Sequence, residues 1–205
     1  MKSSYSLIFS LMIFSFQLGT SELYSQKNTF PLGPVLNLKA GYHLADKKSD
    51  GYGSYGDNSI PGGITFELAG ELPTGKGWYP GFSFEYAAGN DAIYDYYAQG
   101  LVNRNIYYTS YIATFKKRIF IENSAFYIQT GLGKGTVTTE YDNSSGSNDD
   151  GVLSFIFRTG FEYVIGYRTI VSIEAGYLGM GQIMSENGRS NSIFLVKAGL
   201  GFVFK

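Results

Sequence analysis

The stretch 192–205, SIFLVKAGLGFVFK, limits the fold more than any other part of the chain. Phe194, Val196, Ala198, Leu200, Phe202 and Phe204 fall on one face; Ile193, Leu195, Lys197, Gly199, Gly201 and Val203 fall on the other. Alternation with period two is the mark of a β-strand. One face is uniformly apolar and ends in aromatics, while the other is smaller and carries a charge. A single such strand fits a soluble sheet as well as a membrane barrel, so the rest of the chain must decide.

The other end decides first. Residues 1–26 read as an export signal: Lys2 supplies the basic start, and 5–16 is mostly apolar, too short for a spanning helix. Ser25 and Ser21 are the small residues that suit a cleavage site, which leaves 27–205 as one domain. No later run is long and apolar enough for a transmembrane helix. There is no cysteine, hence no disulfide, no lipoprotein anchor and no thiolate metal site. Charged residues make up 16% of the chain, against about 25% in typical globular proteins, while aromatics reach 17% and glycines number 27. A net charge of −1 offers no basic footprint for nucleic acid.

Seven further segments repeat the alternation. They are 35–44, 62–72, 78–88, 105–117, 125–139, 152–163 and 169–180. In 152–163, Leu153, Phe155, Phe157, Phe161 and Tyr163 oppose Ser154, Arg158, Gly160 and Glu162. In 35–44, Leu36, Leu38, Ala40, Tyr42 and Leu44 oppose Asn37, Lys39, Gly41 and His43. The connections alternate in length. Those at 73–77, 120–124 and 164–168 are tight; those at 45–61, 89–104, 140–151 and 181–191 are long and polar. Outer-membrane barrels have this asymmetry, with short periplasmic turns and long outer loops. A strand of about 10 residues, tilted by about 40°, crosses about 25 Å.

The orientation follows from volume. An exported soluble barrel would turn its apolar face inward, but an eight-stranded barrel has an interior only just wide enough for side chains. Four or five large apolar groups per strand do not fit there, whereas the glycine, serine and threonine face does. The large apolar face therefore meets lipid. Trp78, Tyr79, Tyr163, Tyr167 and Phe204 are expected at the periplasmic interface, and Tyr42, Tyr86, Tyr107 and Tyr177 toward the outer one. The expected fold class is all-β: an eight-stranded antiparallel up-and-down transmembrane β-barrel.

On this strand pattern, over 35–205, the chain resembles the small eight-stranded outer-membrane barrels of the OmpA-domain and OmpX type, the "porin family" outer-membrane β-barrel proteins. The resemblance implies residence in the outer membrane of a Gram-negative bacterium among lipid and lipopolysaccharide. It also implies insertion by the barrel-assembly machinery, a monomer, no cofactor and no catalysis. The terminal aromatic that such machinery reads is displaced by one residue here, since Lys205 follows Phe204.

The inward set holds Lys39, Glu67, Glu71, Glu85, Arg158, Glu162, Glu174 and Lys197. Buried charges are costly unless paired. Counting across the hairpins, with closure bringing the first and last strands together, predicts a connected network: Arg158–Glu174–Lys197 on one side and Lys39–Glu67 on the other, with Glu162 near Gln129. Such a network fills the lumen of related barrels.

Other motifs carry less. The run Gly131-Leu132-Gly133-Lys134-Gly135-Thr136 lacks phosphate-loop spacing, and its glycines share an inward face. His43 is the one histidine, near Asp46 and Ser49, without a His-x-Ser arrangement. Asp142, Asn143, Asn148, Asp149 and Asp150 crowd one loop without calcium-loop spacing. Tyr94, Tyr96 and Tyr97 beside Asp91 and Asp95 suit either a recognition surface for an extracellular partner or packing on the rim. The expected function is an integral outer-membrane barrel with a polar, occluded lumen, acting in envelope structure or adhesion through its outer loops. The alternatives are a narrow diffusion channel and, from a third class, a lipid A-modifying enzyme using His43.

Overall fold

The computed structural model describes residues 30, 32–44, 61–95, 99–142, 147–182 and 190–204, with backbone alone at 93–95, 147–150, 182, 190 and 191. The leader, the 45–60 loop and Lys205 lie outside the described residues.

The strands are β1 (Val35–Leu44), β2 (Gly63–Glu71), β3 (Trp78–Asp95), β4 (Gly100–Ile121), β5 (Ser124–Tyr141), β6 (Ser147–Ile165), β7 (Thr169–Gln182) and β8 (Ser190–Val203). Each runs antiparallel to its neighbours in chain order, and β8 pairs back onto β1 from Val35 opposite Val203 to Leu44 opposite Phe194. Closure removes every sheet edge over this length, which a lipid environment demands of a β-structure.

The alternation sorts as volume required. Phe155 and Phe157 are 43% and 39% exposed, and Ile156 between them is 3% exposed. The exposed large apolar residues form a belt that includes Leu38, Phe66, Leu68, Phe82, Phe126, Leu132, Ile173 and Leu200.

Tight connections gather at one end of the barrel. Glu122 and Asn123 form the two-residue link from β4 to β5, with Glu122 at φ 51°. Gly77 turns the chain into β3 at φ 77°, and its carbonyl accepts the Arg118 amide at 2.7 Å. A Cβ there would come within 2.4 Å of the Arg118 carbonyl, so only glycine fits.

The opposite end corrects the reading of two loops. Pairing between β3 and β4 continues to Asp95 opposite Gly100, and between β5 and β6 to Glu140 opposite Ser147. Much of 89–104 and 140–151 is therefore paired strand. The 22 residues of β4 extend about 70 Å, or about 55 Å along the barrel axis at a tilt of about 40°, roughly twice an apolar band of about 25 Å. Beyond the apolar belt the outward face turns largely polar, as at Asn103, Asn105, Thr138 and Glu140, while Val102, Arg104 and Val137 stay buried inside, so the period-two apolar signal weakens while the backbone ladder persists.

The charged lumen as candidate functional site

The inward face of most strands follows one order from the short-turn end outward: apolar, then small or charged, then apolar. On β6 it runs Val164, Glu162, Gly160, Arg158, Ile156; on β8 it runs Val203, Gly201, Gly199, Lys197, Leu195. Closing the ring stacks these into three layers.

The lower layer is the buried cluster of Phe30, Val35, Tyr79, Ala125, Ile170 and Val203, with Phe120 and Val164 packed against it. Phe30 precedes β1 and tucks beneath the barrel, its ring 5.1 Å from that of Phe120. The upper layer holds Ile106, Ile112, Ile156, Leu178, Met180, Ile193 and Leu195 around Tyr108, whose hydroxyl donates to Ser154 Oγ at 2.7 Å. The lumen is thus not polar throughout, as composition suggested, but polar in its middle.

That middle contains two charge groups. The first joins three cations to three carboxylates. Lys39 Nζ reaches Glu67 at 3.2 Å and Glu174 at 2.5 Å. Arg158 reaches Glu67 at 2.7 Å, Glu85 at 2.8 Å and Glu174 at 3.5 Å. Lys197 reaches Glu67 at 2.8 Å, Glu85 at 2.5 Å and Glu174 at 3.8 Å. The second group joins two cations to two carboxylates. Arg118 contacts Glu71 at 2.6 Å and Glu162 at 2.5 Å, and Lys116 contacts both Glu71 and Glu162. All ten side chains are fully buried. Each group is neutral, the condition under which buried ions offset their desolvation.

Glycines make room for these long side chains. Arg158 lies opposite Gly176, Lys39 opposite Gly199, and Tyr127 opposite Gly160. A Cβ at Gly176 would sit 2.7 Å from Arg158 Cγ, and one at Gly199 would sit 2.5 Å from Lys39 Cγ.

The register pairs Lys39 with Glu67 and Glu174 with Lys197, as counting across the hairpins predicts. Three expectations need correction. Arg158 faces Gly176 rather than Glu174, although its guanidinium still reaches Glu174 within the one connected group that joins it to Lys39, Glu67 and Lys197. Glu162 pairs with Lys116 and Arg118, not with Gln129, which lies opposite Arg158. Tyr79 does not face the membrane interface. It is buried inside with the Arg118 guanidinium 4.0 Å from its ring centre, because it is one residue out of phase with Trp78 and Phe82. Lys116, Arg118, Tyr127 and Phe30 were missed altogether.

Outside, Trp78 stacks on Phe115 at 4.7 Å, and Tyr163, Tyr167 and Phe204 are exposed near the short-turn end. Tyr42 and Tyr177 are exposed toward the other end, where Tyr86 and Tyr107 are half-buried. His43 is buried, with Nε2 2.9 Å from the Pro61 carbonyl. Asp46, Ser49, Tyr96, Tyr97 and Asn143 lie outside the described residues, as do the side chains of Tyr94, Asn148, Asp149 and Asp150. No group of His, Asp and Glu suited to a metal ion occurs among the described residues.

No protein-family model matches the chain, and no curated protein matches its sequence. Solved structures do. Neisserial surface protein A superposes with a TM-score of 0.58 at 12% identity, over 84% of this chain and 97% of that one. Ail of Yersinia pestis gives 0.49 at 17% identity, over 84% and 100% of the two chains. OprG of Pseudomonas aeruginosa gives 0.49 at 14%, over 87% and 99%. Identities this low speak to architecture, and Neisserial surface protein A carries that comparison: the chain has the fold of the small eight-stranded outer-membrane barrels.

Proposed function

We propose that the chain is an integral protein of a Gram-negative outer membrane, with a closed lumen and a role exercised at the cell surface. The observation that carries the reading is the layered interior. Two neutral charge groups lie on the barrel axis, with an apolar layer above them and another below. A permeating ion would have to break several buried ion pairs and then cross both apolar layers, each of which disfavours charge. That favours a filled barrel over a diffusion channel.

With the axis closed, the part of the molecule free to act is the extension of β3–β6 beyond the belt. Apart from Leu101 and Ala92, its described outward side chains are polar, and it is tied across its strands: Arg104 holds Asp91 through Nε at 2.9 Å, and Asn103 donates to Asp142 at 2.8 Å. A paired sheet presents side chains in fixed order to an extracellular partner, at little ordering cost on binding. Lipopolysaccharide surrounds its base, and the barrel-assembly machinery places it there. The enzymatic alternative loses ground because the His43 ring is buried, with Nε2 engaged by the Pro61 main chain.

Planar-bilayer recording tests the closed lumen. The reading expects insertion without discrete conductance steps, and steady single-channel currents from the wild-type protein would overturn it.

A further inference from the structure

The lipid-facing wall has a dent among the described residues. Over most of the belt each outward position carries a large side chain, but between β1 and β3, near the short-turn end, Gly70 leaves a gap: a Cβ built there meets nothing within 4 Å. Around it lies a groove of about 540 Å³ lined by Pro34, Leu36, Leu72, Phe82 and Phe204.

The chemistry of the groove restricts its occupant. The charged residue on its border, Glu71, points inward and is held by Lys116 and Arg118. The backbone is committed as well: Leu36 pairs with Gly70, Gly70 with Phe82, and the Leu72 amide donates to the Pro80 carbonyl at 2.9 Å. A peptide strand would find no ladder to join, and a polar ligand would find no partner. Hydrocarbon meets neither obstacle. The groove is continuous with the apolar belt and opens at Pro34 and Phe204, the end where the short turns lie. The flanking turns carry exposed Lys76 and Arg168, and the Arg168 carbonyl accepts the Val203 amide, which places that turn beside Phe204.

We infer that this groove holds one acyl chain of a phospholipid from the periplasmic leaflet, with the lipid phosphate near Lys76 and Arg168. The inference rests on the membrane reading above. Its specific content is that one annular lipid is bound in a built site and exchanges more slowly than its neighbours.

The test uses the full chain reconstituted in vesicles of phosphatidylethanolamine and phosphatidylglycerol, then extracted in mild detergent for native mass spectrometry. Flotation of the vesicles comes first; a wild-type chain that stays in the aqueous fraction removes the membrane reading and the site together. For floating protein, wild type is expected to retain one phospholipid. Gly70→Phe, whose Cβ meets nothing within 4 Å, is expected to retain about tenfold less, the loss that follows from withdrawing about two methylenes from contact. Gly181→Phe, at an equally open position toward the other end, is the control and should match wild type. Lys76→Ala with Arg168→Ala should lower the preference for phosphatidylglycerol. Equal retention by Gly70→Phe and Gly181→Phe, with both proteins floating, would overturn the site while leaving the membrane reading intact.

Discussion

Tyr127 donates its hydroxyl proton to Glu174 at 2.6 Å, while Lys116 lies 4.3 Å from the centre of its ring. One aromatic side chain therefore touches both charge groups, and it does so because Gly160 opposite it has no side chain: a Cβ there would come within 2.5 Å of the ring. Tyr127→Phe should keep the cation–π contact and lose the hydrogen bond to a carboxylate, lowering stability by about 1.5–3 kcal/mol. Gly160→Ala should cost more than that in wild type and less in a Tyr127→Ala background, where the Ile173 carbonyl, 2.6 Å from the added Cβ, still opposes it. Urea unfolding in lipid vesicles, arranged as a double-mutant cycle, measures the coupling; additive costs would mean that the ring does not occupy the space over Gly160.

Neutrality of each group predicts unequal costs for single and matched changes. Glu162→Gln leaves Lys116 and Arg118 facing only Glu71, and should destabilise by about 3–5 kcal/mol. Lys116→Met combined with Glu162→Leu removes one charge of each sign and should cost less than Glu162→Gln alone. The same unfolding assay decides, and a double variant less stable than the single one would contradict the balance.

Phe30 closes the short-turn end, yet the upper apolar layer stands independently of it. Phe30→Ala should lower stability by about 3 kcal/mol, the usual loss for a buried phenylalanine. It should produce no conductance in planar bilayers, because Ile112, Ile156 and Leu195 still cover the charge groups. Currents from Phe30→Ala would place the whole seal in the lower layer.

The outer parts of β3 and β4 pair chiefly with each other, since β2 begins opposite Gly89. Replacing residues 92–103 by a short turn should therefore leave the barrel folded, as judged by retention of its compact, heat-modifiable migration on gels. Loss of that migration would mean the extension is needed for closure.

The barrel wall was legible because an apolar belt on one face of every strand obeys a strict period of two. Where the apolar belt ends, that signal ends, which is why β3 to β6 run on past their apparent limits. The charge groups were half legible. The inward acids Glu67, Glu71, Glu85, Glu162 and Glu174 outnumber Lys39, Arg158 and Lys197 by two, and a buried lumen has to be neutral. Carrying the alternation of Ser110, Ile112 and Thr114 two steps further supplies the missing pair, Lys116 and Arg118. The segment read as 105–117 stops one residue short of Arg118. Tyr79 was misplaced by grouping aromatics near a turn instead of keeping the phase set by Phe82 and Phe84. Phe30 had no such signal, since it lies before the first strand and its role depends on tertiary packing alone.

The central claim is that bulky apolar side chains meet acyl chains while the charged set occupies the axis. Trp78 is the only tryptophan, so a Trp78→Phe background allows single-tryptophan probes at Phe155→Trp and Ile156→Trp. Quenching by brominated phospholipids measures contact with lipid directly. Strong quenching at position 155 and weak quenching at position 156 is the predicted result, and the reverse order would contradict the account.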